Sequence, residues 1–211
     1  MAHAEAYKDP GTPDEQSRRT FMANAVVALG GVIGLGLTIP LLVSLVPAQD
    51  ANNEEWSPLT PEQAAALRKA TDNPVKVTFN LHEVNGYFGA TDSEQFFWAV
   101  KADEATMRKR RPELFGGIEK VPYPAIALGF SVFSPICPHL GCRYSWDSKI
   151  SRFHCPCHGS EFDNLGWHIT GVGPALRGLD PLPLREFSGK VQVSWIEYKQ
   201  NTPDHIILKV G

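Results

Sequence analysis

All four cysteines of this 211-residue chain fall between positions 137 and 160, in two short boxes. The first reads Cys137-Pro138-His139-Leu140-Gly141-Cys142 and the second Cys155-Pro156-Cys157-His158-Gly159-Ser160. Each box supplies one Cys–His pair, two positions apart in the first and three in the second, and one further Cys. Spacings this short place each pair on a tight loop tip. Two thiolates with two imidazoles can hold a [2Fe–2S] cluster in which histidine replaces cysteine on one iron. The same residue types can hold zinc. Zinc boxes, however, usually pair ligands of one kind and have no use for two additional cysteines. Here those two, Cys142 and Cys157, lie close in sequence to residues that converge on one site. A disulfide between them would clamp the loops, and it requires an oxidising compartment.

The boxes resemble those of the Rieske iron–sulfur subunit of cytochrome bc-type quinol–cytochrome c oxidoreductases. Members of that family carry Cys-Thr-His-Leu-Gly-Cys and Cys-Pro-Cys-His-Gly-Ser; here Pro138 stands where Thr is common. Gly173-Pro174-Ala175 resembles the family's proline loop, which covers the cluster from a third side. The resemblance implies one [2Fe–2S] cluster per chain, with Cys137 and Cys155 on one iron, His139 and His158 on the other, and Cys142 bonded to Cys157. It implies that His158 presents its outer ring nitrogen to a quinol, with His139 as the other exposed ligand. Leu140, Gly141 and Pro174 would shield the cluster, and the Ser160 hydroxyl would bond a cluster sulfur. The implied partners are the cytochrome b subunit and c-type cytochrome of a dimeric membrane complex. Taking an electron from quinol, coupled to proton release, makes such a chain an oxidoreductase subunit. Many ubiquinol-oxidising members have Tyr where this chain has Phe162. Losing that hydroxyl lowers the potential and points to a low-potential quinol such as menaquinol. His154 and His168 are out of ligand register and read as polar or packing residues.

The elements that must position these loops are legible in part. Residues 1–19 read as a polar cytoplasmic tail ending in Ser17-Arg18-Arg19-Thr20-Phe21-Met22, which resembles a twin-arginine export signal. That route carries folded proteins, as a cluster inserted before export requires. No charged residue occurs from Thr20 through Gln49. Residues 20–47 are therefore expected to form one retained membrane-spanning helix, longer than a signal-peptide apolar region, although Val46-Pro47-Ala48 has the small-residue look of a cleavage site. Gly30, Gly31, Gly34 and Gly36 suit a packed membrane helix, and Pro40 can kink it. Arg18 and Arg19 put the N-terminus in the cytoplasm and the head outside a bacterial plasma membrane.

Residues 48–58 are polar and read as a linker, which the family resemblance implies is a hinge that lets the head swing, and residues 59–211 read as the head. The head is expected to be antiparallel β, and the family resemblance implies a cluster-binding part at about 134–176 inserted in a larger base. Thr60-Pro61-Glu62-Gln63 predicts a capped helix ending near Ala70. Strands are expected at Val75–Leu81, Phe96–Val100, Ala125–Ser131, 191–197 and 205–209. Asn85-Gly86 predicts a turn. Arg143–Trp146 and Ile150–Phe153 predict a hairpin that delivers both boxes to one end. The run Arg108-Lys109-Arg110-Arg111, among helix formers, reads as a solvated face. A net charge of −3 gives no electrostatic case for nucleic acid.

Two other classes share the ligand set. Soluble Rieske ferredoxins and oxygenase components generally lack the extra Cys pair, the anchor and the export signal. The small Rieske subunit of an exported molybdenum oxidase shares the signal, but the long anchor and the Gly-Pro-Ala loop weigh against it.

Overall fold

The computed structural model describes residues 13–44, 56–85, 89–116 and 121–210. The chain forms two compact units, Met1–Ala48 and Gln49–Gly211. Most of the expected linker, and the Asn85-Gly86 turn, fall at or beyond the edges of the described residues.

The first unit is the helix α1, Pro13–Ser44. It starts within the stretch expected to be an irregular tail. Proline is tolerated in a first turn because its missing N–H has no helical partner there. Asp14 adds a favourable charge at the positive end and pairs with Arg18 one turn on, at 3.5 Å. From Gln16 to Ser44 the helix is long and apolar enough to cross a membrane, a length of about 43 Å at 1.5 Å per residue. Its apolar side chains, such as Val27 and Leu37, are exposed. Pro40 lies inside it, and the Thr38 hydroxyl donates back to the Gly34 carbonyl at 2.6 Å.

The second unit is built from small antiparallel sheets. The base comprises β1 (Trp56–Pro58), α2 (Pro61–Leu67), β2 (Val75–Asn85), β3 (Gly89–Lys101), α3 (Glu104–Arg110) and β4 (Phe130–Phe133). Then come β5 (Ser145–Asp147), β6 (Arg152–His154), β7 (Glu161–Phe162), β8 (Leu184–Phe187), β9 (Lys190–Ser194), β10 (Ile196–Tyr198) and β11 (Ile207–Val210). The sheets run β1-β9-β8, β2-β3-β4, β5-β6-β7 and β10-β11.

Thr60 caps α2 as the sequence predicts: its hydroxyl accepts from Gln63 N at 3.3 Å, and the Gln63 side chain accepts from Thr60 N at 2.9 Å. Thr60→Ala removes one acceptor for an otherwise orphaned amide. It is expected to cost about 1 kcal/mol, read as a lowered denaturant midpoint at constant slope.

Period-two burial explains β2. Val77, Phe79 and Leu81 are buried, while Lys76, Asn80 and His82 are exposed. In β3 both faces are used. Phe97 and Ala99 pack with Phe79, Val132, Val193 and Trp195 in one core. Trp98 and Val100 face a second core containing Phe133, Tyr144, Phe153, Phe162 and Leu179. Cys137 and Cys155 belong to this second core. The sheet β5-β6-β7 sits there, its turn at 148–151 delivering the boxes that precede β5 and follow β6.

Three expectations need correction. The strand expected at Ala125–Ser131 is only β4, because Leu128 and Gly129 take φ values of +56° and +80°. They close a tight turn between Ala127 and Phe130, and such paired positive φ values belong to hairpin turns. The linker expected through residue 58 ends earlier, since Trp56–Pro58 pairs with β9 in the register Trp56 to Ser194. The basic run is not wholly solvated. Arg108, Lys109 and Arg110 are exposed, but Arg111 caps α3 at φ −130°, ψ 57° and turns inward to complete burial.

Candidate functional site

The two boxes fold alike. In the first, Gly141 N donates to Cys137 O at 3.0 Å and Cys137 N donates to Cys142 O at 2.8 Å. In the second, Gly159 N donates to Cys155 O at 3.0 Å and Cys155 N donates to Ser160 O at 2.9 Å. Gly141 and Gly159 sit at φ +79° and +73°, the left-handed region that a side chain resists. Each box is therefore a closed six-residue loop with its central residues at the tip.

A disulfide joins Cys142 to Cys157, with Cα atoms 6.6 Å apart, and locks the loops together. Cys137 and Cys155 are free and buried. Burial pushes the Cys137 thiol up to about 12; the His139 backbone amide pulls it down, and Cys155 and Asp180 push it further up. Such a thiol is neutral at pH 7 until a metal ion's charge displaces its proton. The sulfurs of Cys142, Cys155 and Cys157 lie within 4.8 Å of one another, but the disulfide takes two of them. The rings of His139 and His158 meet edge to face, their centroids 4.7 Å apart. His139 is half-buried and His158 is exposed. Two buried free thiols and two adjacent imidazoles, one of each on either box, are a donor set that fits a mixed-ligand iron–sulfur cluster.

Around this set, Ser160 is buried, and its Oγ accepts from Ala175 N at 3.1 Å, so its own O–H is left to donate. Gly173 sits at φ +73°, and a Cβ there would lie 2.3 Å from Ser160 N. The Gly-Pro-Ala loop thus rests backbone to backbone on the second box. Gly173→Ala is expected to lift that loop, lowering the cluster retained per chain, as measured by iron content and visible absorbance. Leu140, in the first box, and Pro174, in the covering loop, are both exposed.

Phe162 is fully buried, 5.4 Å from the His168 ring and 6.1 Å from Tyr144. His168 Nε2 meets Val172 O at 3.0 Å, and His154 lies 3.7 Å from Glu161.

The sequence did not single out Tyr144, whose hydroxyl donates to Ser134 O at 2.5 Å and whose pKa burial raises well above the usual phenol range. It showed Arg111 only as part of a solvated run, and it did not single out Arg177, Asp180 or His205. Charged residues in a turn-rich stretch give no local sign that they are buried.

Fold and site together define a disulfide-clamped cluster domain. Residues 98–183 match the Rieske [2Fe–2S] domain. The chain carries that domain, and the domain's cofactor is a [2Fe–2S] cluster. It is similar to the menaquinol:cytochrome c reductase iron–sulfur subunit of Bacillus subtilis, 23% identical over 168 residues, covering 78% of this chain and 83% of the relative. It is also similar to the chloroplastic cytochrome b6-f complex iron–sulfur subunit of Fritillaria agrestis, 37% identical over 62 residues. That match covers 29% of this chain and 27% of the relative's length. Among solved structures, the cyanobacterial plasma membrane Rieske protein of Synechocystis is 19% identical with a TM-score of 0.31, covering 65% of this chain and 94% of the other.

Proposed function

We propose that the chain is the electron-transferring subunit of a membrane quinol–cytochrome c oxidoreductase, with menaquinol as the favoured quinol. The observation that carries this reading is the His139–His158 pair, two rings 4.7 Å apart on the same two boxes that hold the buried free thiols Cys137 and Cys155. Cys137 and Cys155 would hold one iron, and His139 and His158 the other. The cluster, when bound, supplies a one-electron acceptor whose potential neutral imidazoles raise above that of a four-cysteine cluster.

The remaining chemistry falls to the chain. His158, the more exposed imidazole, offers its outer ring nitrogen to the quinol hydroxyl and takes the proton that leaves with the electron. His139, half-buried beside it, is the second imidazole. Leu140 and Pro174 would shield the cluster from water. Ser160 Oγ accepts from Ala175 N, and its own hydrogen would be free to donate to a cluster sulfur. Phe162 has no hydroxyl to give, which removes a donor that would favour the reduced, more negative state. That supports a low-potential quinol, as does the name of the Bacillus relative. The electron then passes to a c-type cytochrome, with a cytochrome b subunit and a dimeric complex as the setting. The helix α1 supports a single membrane span. Arg18 and Arg19 support a cytoplasmic N-terminus after twin-arginine export, with the disulfide-bearing head on the oxidising outer side. The head would swing on the linker before β1.

The test is a redox titration of the full-length chain in detergent, repeated across pH. Reduction makes the ligand imidazoles bind protons more tightly, so protons favour the reduced form. The potential is expected above the bottom of the Rieske range but below that of a tyrosine-bearing member, and falling as pH rises. A low potential, flat through neutral pH, would point to a ferredoxin-like carrier and sink the quinol reading.

A further inference from the structure

A buried ionic triad ties the site to a segment far along the chain. Asp180 is 1% exposed and Arg177 5%. Arg177 Nε and Nη2 donate to the two Asp180 carboxylate oxygens at 2.7 and 2.8 Å. His205 Nδ1 lies 2.8 Å from Asp180 Oδ1. Its Nε2 is buried with no hydrogen-bond partner among the described residues. With Nε2 unpartnered, the neutral ring with its proton on Nδ1 is the form that strands no donor.

The triad sits between two walls of the site. Arg177 and Asp180 follow the Gly-Pro-Ala loop, and Arg177 Nη1 also donates to Thr202 O and Oγ1 at 2.7 and 3.0 Å. Asn201 N donates to Pro138 O at 2.9 Å, inside the first box. Ser134 N, three residues before Cys137, donates to Asp180 O at 2.9 Å. The segment 199–206 is thus a strap that grips the first ligand loop at one point and the covering loop at another. Asp180 brings a negative charge to this junction in surroundings that screen it little.

Resting on the cluster reading above, we propose that Arg177, Asp180 and His205 form a positioning and tuning device for the cluster. The strap holds the first box and the covering loop in register. The Asp180 carboxylate opposes the extra negative charge of the reduced cluster, and His205 moderates that carboxylate by donating to it.

The test uses the full-length, cluster-loaded chain, with the reduction potential and the electron paramagnetic resonance signal of the reduced cluster as readouts. Asp180→Asn keeps the shape and removes the charge, so the potential is expected to rise with the signal retained. His205→Ala removes a donor and leaves the charge less compensated, so the potential is expected to fall. His205→Asn, whose side-chain amide can take the place of Nδ1–H, is expected to restore it. Mere loosening of the loops would move Asp180→Asn and His205→Ala in the same direction, and that result overturns the proposal, as do unchanged potentials. If Asp180→Asn fails to fold, the histidine pair decides: a His205→Ala shift that His205→Asn does not reverse overturns it. Absence of a Rieske-type signal from the unmodified chain would overturn the cluster reading as well.

Discussion

Replacing Arg111 with alanine is expected to destabilise the head by about 3–5 kcal/mol, the usual effect of removing one partner from a buried charge pair. Its side chain has no exposure, and Nη1 and Nη2 donate to Leu165 O at 3.1 Å and Leu179 O at 2.9 Å. Its Nε pairs with Glu113 at 2.5 Å. The two carbonyls belong to the segments after the second box and after the Gly-Pro-Ala loop, so one guanidinium joins both to the end of α3. The room is made by glycine: a Cβ at Gly178 would lie 2.7 Å from the Arg111 Cζ and 2.4 Å from Gly166 O. Truncation strands two buried carbonyls and leaves Glu113, whose Oε2 already has no hydrogen-bond partner among the described residues, without its cation. Thermal unfolding followed by near-UV circular dichroism should show the midpoint falling by about 6–20 °C. Arg111→Met combined with Glu113→Gln should recover part of the loss, because replacing both charges is milder than stranding one. A single variant that loses less than about 1 kcal/mol would show that the guanidinium is only filling space.

Arg111 also shows where sequence reading reaches its limit. It stands in a run of four cations, and three of them are exposed as a solvated face predicts. The helix ends at Arg110, so the fourth leaves the helical period and turns into the interior. Besides the neighbouring Glu113, its carbonyl partners lie 54 and 68 residues away, and no local pattern announces them. Asp180 and His205, 25 residues apart, escaped for the same reason.

Local signals fared better. The α2 capping box, the strand composition of Val75–Leu81 and the 145–154 hairpin depend on neighbours within a few residues, and each forms. The short strands β1 and β8 were missed because three or four residues carry too little period to stand out; β8 owes its place to the Ser188-Gly189 turn, with φ values of +51° and +72°. The two boxes were legible because ligand type and spacing are themselves sequence. What closes over them was only partly so: Gly173-Pro174-Ala175 could be named, but not the contact of Gly173 with the Ser160 backbone.

The Cys142–Cys157 bridge is expected to have the second large effect, and on a different quantity. Changing both residues to serine reopens a loop with a sequence separation of 15. The chain-entropy estimate for such a loop is about 3 kcal/mol. The backbone bonds that close each box, Gly141 N to Cys137 O and Gly159 N to Cys155 O, do not involve the bridge. Each loop should therefore keep its own shape while the two lose their mutual register. Register is what brings the His139 and His158 rings together. The double variant is expected to incorporate some cluster but to release it to a chelator many times faster than the unmodified chain, with a broadened paramagnetic signal from an ensemble of loop separations. Dithiothreitol treatment of the unmodified chain should reproduce the effect only where the reductant reaches the bridge, and Cys157 is exposed. If the double variant holds its cluster as long as the parent, the strap and the Gly-Pro-Ala loop suffice to register the boxes, and the bridge serves stability alone.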